Sequence, residues 1–319
     1  ATAGSNIGAD ALLTMLEAKS SDQLEEAMRR WVDPCNNLLF ADIQGNIGYR
    51  TRGQLPVRSR SNAWLPVPGW TGEHEWNGMV PFEEMPRIGN PKTGYIVTAN
   101  NRVTADSYSH YIALEYAPGF RAQRIRERLL SLQKATVEDM AAIHRESTSI
   151  PGLAFTRLIA DVVPRDEASS RAMQLLMQWD GVISKDSVEP TIYNAFRDRL
   201  LRLVIEPLLG PLGQEAFDGM GRGSPVHLGR LKSRLHGIIE EDDASFLPEG
   251  SDWPSLMSQA LSDAVIELQQ RYGKDMDKWR WGQVHRTNPQ HILSLLYPDL
   301  ASLLNPPSFP MSGDSDTPL

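Results

Sequence analysis

The chain has 319 residues, 41% apolar and 23% charged, which is enough to bury a sizeable core in one or two domains. A net charge of −8 and a pI near 5.4 argue against nucleic acid as a partner. No stretch approaches the roughly 18 apolar residues of a membrane span, no signal peptide opens the chain, and a lone cysteine, Cys35, excludes an internal disulfide framework.

The first elements are two short helices. Ala9 to Ala18 carries Leu12, Leu13 and Leu16, and Ser21 precedes a second helix bearing Leu24, Met28 and Trp31. Cys35 then reads as a small buried hydrophobe; its rival role, a nucleophile served by a distant histidine, lacks any cysteine-hydrolase motif. Asn37 to Asp42 and Asn46 to Thr51 flank Ile43-Gln44-Gly45, and the glycine permits the positive φ of a tight hairpin. Arg52 to Trp76 is rich in Pro, Gly and Trp and predicts a long ordered loop. Trp64, Trp70 and Trp76 there could line an acyl pocket, although packing is the commoner use of a tryptophan.

The stretch Asn90 to Arg121 has the most chemistry. A Pro91-Lys92-Thr93-Gly94 turn leads into Tyr95-Ile96-Val97, whose β-branched and aromatic side chains predict a strand. The strand ends in Thr98-Ala99-Asn100-Asn101-Arg102, a cluster of side-chain donors at a strand mouth. An amide there can donate to a developing oxyanion, or the pair can simply close an Asx turn. Pro118 and Gly119 then introduce a helix with Ala122, Ile125 and Leu129 on one face. Arg121 sits in its first turn, where the helix dipole disfavours a cation, so a carboxylate or a site needing positive charge should hold it there.

From Thr136 the chain reads as helical. Thr136 to Asp139 resembles a capping box, a helix runs from Pro151 towards Val163, and Glu167 to Trp179 forms another with Gly181 as its stop. Pro190 opens a helix with Ile192, Phe196, Leu200 and Leu203 inward, ending at Pro207. Residues 210–224 read as a Gly-rich loop, 240–243 as a solvated acidic run, and Ser255 to Tyr272 as the last long helix, stopped by Gly273. The seven histidines form no HxH or HExxH pattern, and His285 and His291 near Trp281 read as a structural corner.

Taken in order, these motifs are familiar: GNIGY (Gly45 to Tyr49), G-x-x-P-x-R (Gly53 to Arg58), LPVPGW-x-G (Leu65 to Gly72), PF-E (Pro81 to Glu83), NP-x-x-GYI (Asn90 to Ile96), T-A-NNR (Thr98 to Arg102) and GFRA-x-RI (Gly119 to Ile125). The chain thereby resembles the penicillin amidase family. The likeness returns in Trp281-Gly282, His285-Arg286 and Leu304 to Thr317, where Gly313-Asp314-Ser315-Asp316 matches a family segment without an assigned role.

The resemblance implies an α+β fold, part of an αββα N-terminal-nucleophile hydrolase sandwich with a large helical appendage. The expected division is 1–135 for the sheet-containing part, 136–280 for the appendage and 281–319 for a return to the sheet region. It implies hydrolysis of linear N-acyl amides, such as penicillin and cephalosporin side chains or acyl-homoserine lactones. Asn100 would be the oxyanion donor and Arg121 an orienting arginine. The nucleophile would be an N-terminal serine outside this chain, and a small subunit from the same precursor would be the partner. Ser5, in a Gly4-Ser5-Asn6 triplet, reads as a helix-leading residue instead, because Ile7 stands where the family carries tryptophan. A family calcium site would take the Ala63 carbonyl and an Asp before GFR; His110 and Tyr111 occupy that region, so no cofactor is expected in this chain. The family location is periplasmic or secreted. The rival class is a non-catalytic scaffold or binding fragment of the same fold.

Overall fold

The computed structural model describes residues 8–218 and 226–319. Ser5 therefore lies outside the described residues. The chain divides into two compact units, Ala1–Ala117 and Pro118–Leu319.

In the first unit, α1 (Gly8–Glu17) and α2 (Ser21–Ala27) precede a hairpin of β1 (Asn36–Ala41) and β2 (Ile47–Arg52). The cap of α2 is Ser20, whose hydroxyl accepts from the Gln23 amide. Ser21 instead ties the helix to the hairpin turn, donating to Asp42 from its amide (3.1 Å) and its hydroxyl (2.8 Å). Gly45 takes φ 87° in that turn, as the sequence requires.

A short helix, α3 (Ser61–Trp64), interrupts the long loop, and β3 (Arg87–Gly89) completes an antiparallel sheet of order β1-β2-β3. The register sets Leu39 opposite Tyr49 and Tyr49 opposite Ile88. The expected strand over Tyr95 to Val97 does not form; the run is extended but belongs to no ladder. The apolar core of this unit is small, with Leu55, Val80 and Met85 at its centre. A buried cation helps fill the space. Arg50 lies 3.6 Å over the Phe82 ring and donates to Glu25 (2.9 Å) and the Phe82 carbonyl (2.7 Å).

The second unit begins with α4 (Phe120–Leu130), α5 (Val137–His144), α6 (Ile150–Leu158) and α7 (Glu167–Gln178). Thr136 and Asp139 make the reciprocal capping box that the sequence predicts. The long helices α8 (Glu189–Leu209) and α11 (Trp253–Tyr272) form the centre, with α9 (Gly213–Asp218) and α10 (Val226–Glu240) between them in sequence. Ile192, Phe196, Leu200 and Val204 of α8 and Ala260, Leu261 and Ala264 of α11 are fully buried. Each fully buried large aliphatic or aromatic side chain contributes about 1.5–3 kcal/mol of transfer free energy. Phe155 meets Phe196 edge-on at 5.6 Å.

Two expectations shift. Helix α8 continues through Pro207 to Leu209, because a proline this near a C-terminus removes only one bond of the ladder. Residues 210–218, expected as loop, form a 3-10 turn and α9.

The chain ends in three short helices, α12 (Trp281–Val284), α13 (Ile292–Leu296) and α14 (Ala301–Leu304), and an irregular tail. The tail is anchored: the Gly313 amide donates to the Ile183 carbonyl (2.8 Å), and the Trp281 indole donates to the Gly313 carbonyl (3.0 Å).

Candidate active site

The NNR segment is held by side chains of the hairpin. Tyr49, on β2, donates to the Asn37 carbonyl oxygen at 2.7 Å, and Asn37, on β1, donates to the Thr98 hydroxyl at 3.1 Å. With its proton given to Asn37, the Tyr49 hydroxyl accepts from Thr51 at 2.7 Å. Burial pushes the Tyr49 hydroxyl up from its ordinary range, so this relay of donors stays neutral. Thr98 is thus fixed against the sheet by side chains in place of a backbone ladder. Ala99 is buried behind it.

The two asparagines that follow are used differently. Asn101 turns inward on its own loop, accepting from the Ala99 amide (2.9 Å) and donating to the Arg102 carbonyl (3.0 Å). Asn100 is exposed, with φ 61°. A left-handed conformation is uncommon for a residue with a side chain and persists where the surroundings impose it, often at functional sites. Here the Asn100 carbonyl accepts from the Ala117 amide at 2.9 Å, which pins the backbone on its far side. The local turn expected of the pair is therefore the work of Asn101, and it sets the direction of Asn100.

Beside this loop lies a cavity of about 680 Å³, walled by Arg58, Arg102, Tyr108, His110, Tyr111 and Tyr116 among others. His110 is taken up by Glu84 (2.5 Å). Two buried polar atoms on its wall, Nε of Arg58 and the hydroxyl of Tyr111, have no partner.

Arg121 is in the second unit, half-buried in the first turn of α4 and not without a partner. What holds its helix is legible in the contacts. Glu146, between α5 and α6, meets Arg124 at 3.2 Å and Arg128 at 3.4 Å, and accepts from the Thr148 amide at 2.9 Å. Burial works against this carboxylate, but the Thr148 and Arg124 hydrogen bonds outweigh it and hold the group below the usual glutamate range.

The remaining candidates are placed as follows. Cys35 is exposed, where a packed residue was expected. Its sulfur is nonetheless crowded: a side chain at Gly53 would meet Sγ at 2.7 Å, and burial, then the Asp33 charge, push the thiol up. Trp70 and Trp76 are 89% and 52% exposed and wall no pocket around themselves; the Trp64 side chain lies outside the described residues. His285 stacks on Trp281 with centroids 5.0 Å apart, and exposed His291 caps α13 through the Leu293 amide at 3.1 Å.

The residues at the resembling calcium position do not fit that ion. His110 and Tyr111 supply no anionic oxygen, and among the described residues no group of three or more His, Cys, Asp or Glu could hold a metal.

Sequence reasoning missed Glu146, the Asn37–Tyr49 relay and a buried pair between Arg197 and Asp316 (3.1 Å). Only Asp316 had a signal, as part of the GDSD segment.

The fold resembles that of a thermostable penicillin G acylase from Alcaligenes faecalis, with a TM-score of 0.66 over 84% of this chain and 52% of that one, at 20% identity. The defining pattern of the penicillin amidases matches residues 1–319, and the chain belongs to that family. It is 39% identical over 320 residues to penicillin acylase 2 proenzyme of Pseudomonas sp. (strain SE83), which covers 99% of this chain and 40% of that protein. It is 27% identical over 293 residues to an acyl-homoserine lactone acylase of Pseudomonas fluorescens (strain Pf0-1), covering 87% of this chain and 36% of that protein. The chain thus spans well under half the length of these relatives. Among the described residues, no helix is long and apolar enough to cross a membrane.

Proposed function

We propose that the protein carrying this chain is an amidohydrolase that cleaves linear N-acyl amides. The observation that carries this reading is the Asn100 loop: an exposed, left-handed asparagine whose backbone is fixed on both sides. In the proposed reaction, an N-terminal serine outside residues 1–319 attacks the amide carbonyl while its own α-amino group takes the hydroxyl proton. The Asn100 amide donates to the oxyanion so formed, and Arg121 orients the site. The C–N bond then breaks and the amine leaves with the proton held by the α-amino group. Water attacks the acyl-serine and releases the carboxylic acid.

The αββα sandwich, a small-subunit partner from the same precursor and a periplasmic or secreted setting belong to the same proposal. So does the substrate class, which family membership and the names of the relatives support: penicillin-type side chains or acyl-homoserine lactones.

The test is hydrolysis by the full-length mature protein of a phenylacetyl anilide and of a long-chain N-acyl-homoserine lactone, read as released amine. Release from either substrate is expected. Release from neither, by protein whose N-terminal serine is shown to be free, would overturn the reading and leave a scaffold of the same fold.

A further inference from the structure

Buried donors without partners are rare, because each forgoes the hydrogen bond it made in water at a cost of about 1–3 kcal/mol. Two of them face one cavity in the first unit. Nε of Arg58 and the hydroxyl of Tyr111 are both buried and unpaired, and the Arg58 guanidinium lies 5.6 Å from the centre of the Tyr111 ring. The remaining contact of Arg58 is weak, a 3.5 Å approach from Nη2 to the Ile112 carbonyl. The charge around the cavity has one sign. Arg58, Arg60 and Arg102 stand on its wall against a single carboxylate, Asp106, which is exposed and already paired with Arg102 at 2.5 Å. The volume of about 680 Å³ accommodates a small organic group with its hydration.

A guanidinium edge and a phenol hydroxyl, both short of an acceptor, match the two oxygens of a carboxylate. Tyr108 and Tyr116 on the same wall offer ring faces to whatever carries it. Arg102, two residues beyond Asn100, joins this wall directly to the loop that carries the oxyanion donor.

We propose that this cavity binds a carboxylate of the amide substrate, with Arg58 and Tyr111 as its ligands and Arg60 and Arg102 supplying the field. This rests on the acylase reading of the Asn100 loop and narrows it: the preferred amides are acidic ones. The carboxylate could sit on the acyl group or on the amine, and the chemistry of recognition is the same.

Four substrates separate these cases with the full-length enzyme: a dicarboxylic acid mono-anilide and the monocarboxylic anilide of equal chain length, then a phenylacetylated aminobenzoate and phenylacetyl anilide. Each pair differs only in the carboxylate. The enzyme is expected to favour the acidic member of one pair in kcat/KM, and the favoured pair identifies the source. Arg58→Gln should raise KM for that acidic substrate by about tenfold or more, with kcat and the neutral partner changed less than about threefold. Tyr111→Phe, a small change that keeps the ring, should act in the same direction more weakly. Arg60→Gln, at an exposed position, should act mainly through the field, so its effect on KM should fade with added salt.

Equal treatment of acidic and neutral members by the wild type, or equal losses on both in Arg58→Gln and Tyr111→Phe, would overturn the carboxylate assignment while leaving the acylase reading intact. Hydrolysis of none of the four would overturn the acylase reading itself, and this assignment with it.

Discussion

Asn100 and Asn101 are adjacent and chemically identical, yet the structure gives them separable tests. Asn100→Gly removes the side chain but keeps a residue at ease with φ 61°. In the full-length enzyme we expect it to lower turnover about 100- to 1,000-fold, the cost of losing one oxyanion donor, with little change in melting temperature. Asn101→Ala removes two hydrogen bonds internal to the loop. It should cost about 1–2 kcal/mol of stability and leave turnover per folded molecule within about threefold. Kinetics and thermal melts of both variants check the assignment; the reverse pattern would move the donor to Asn101. Cys35 makes the other prediction at this scale. Thiolate is the nucleophilic form, and a thiol pushed above its ordinary value of about 8.5 holds little thiolate at neutral pH. Alkylation by iodoacetamide at pH 7 should therefore be slower than for a free cysteine, despite the exposure of the residue, and should accelerate only at clearly alkaline pH. Labelling faster than the free amino acid would show an activated thiol.

At the level of elements, α4 depends on a carboxylate outside itself. Its N-terminal turn gains nothing from the helix dipole, and its apolar face is only half-buried. Glu146, with 11% of its side chain exposed, holds Arg124 and Arg128 on that helix. Glu146→Gln should cost about 1–3 kcal/mol, mostly through Arg124, since Arg128 is largely solvated. The pH dependence has a definite sign. A carboxylate whose folded pKa is depressed contributes stability above its unfolded value of about 4.3, and that contribution is lost as pH falls through the lower folded value. Wild-type stability should thus drop more steeply than that of Glu146→Gln below about pH 4.3, a difference measurable by urea titration at several pH values. Because Arg121 shares α4, the variant should also lose turnover if that arginine orients the site. Much at this scale was legible in the sequence. The 36–52 hairpin, the Thr136 box and the buried faces of α8 and α11 each follow from local chemistry or period. The run 95–97 was misread because β-propensity reports a side chain's fit to a pleated surface, and no partner strand is there to make one. The choice between Asn100 and Asn101 rested on family motifs. Backbone sign and side-chain partner, which distinguish them physically, are set by Ala99, Arg102 and Ala117, and no spacing rule encodes those contacts.

Across the second unit, the feature with most at stake is the Arg197–Asp316 pair, with side chains 2% and 3% exposed. Arg197 also donates to Tyr193 (2.6 Å) and to the Lys232 carbonyl (3.0 Å), and Ser233 donates to Asp316 (2.7 Å). Removing either ion leaves the other buried and unmatched. Arg197→Met or Asp316→Leu alone should each cost about 3–5 kcal/mol. The double variant should cost far less than their sum, because it removes both charges together. Chemical denaturation of all four proteins checks this, and additive losses would show that the two charges are not coupled. None of this network was read from the sequence, since its members come from α8, α10 and the tail and meet only in three dimensions.

That pair joins residues 119 positions apart, with the carboxylate second. A ribosome adding about 5–20 residues per second reaches Asp316 some 6–24 s after it has placed Arg197. Throughout that interval α8 emerges with a cation on a face otherwise built for an apolar interior, and α10 arrives without the acceptor that Ser233 will need. The helical unit is held open by an unmatched charge until its last turn is made. The tail is then the part that decides when this half of the nascent protein stops being a set of helices and becomes a closed body.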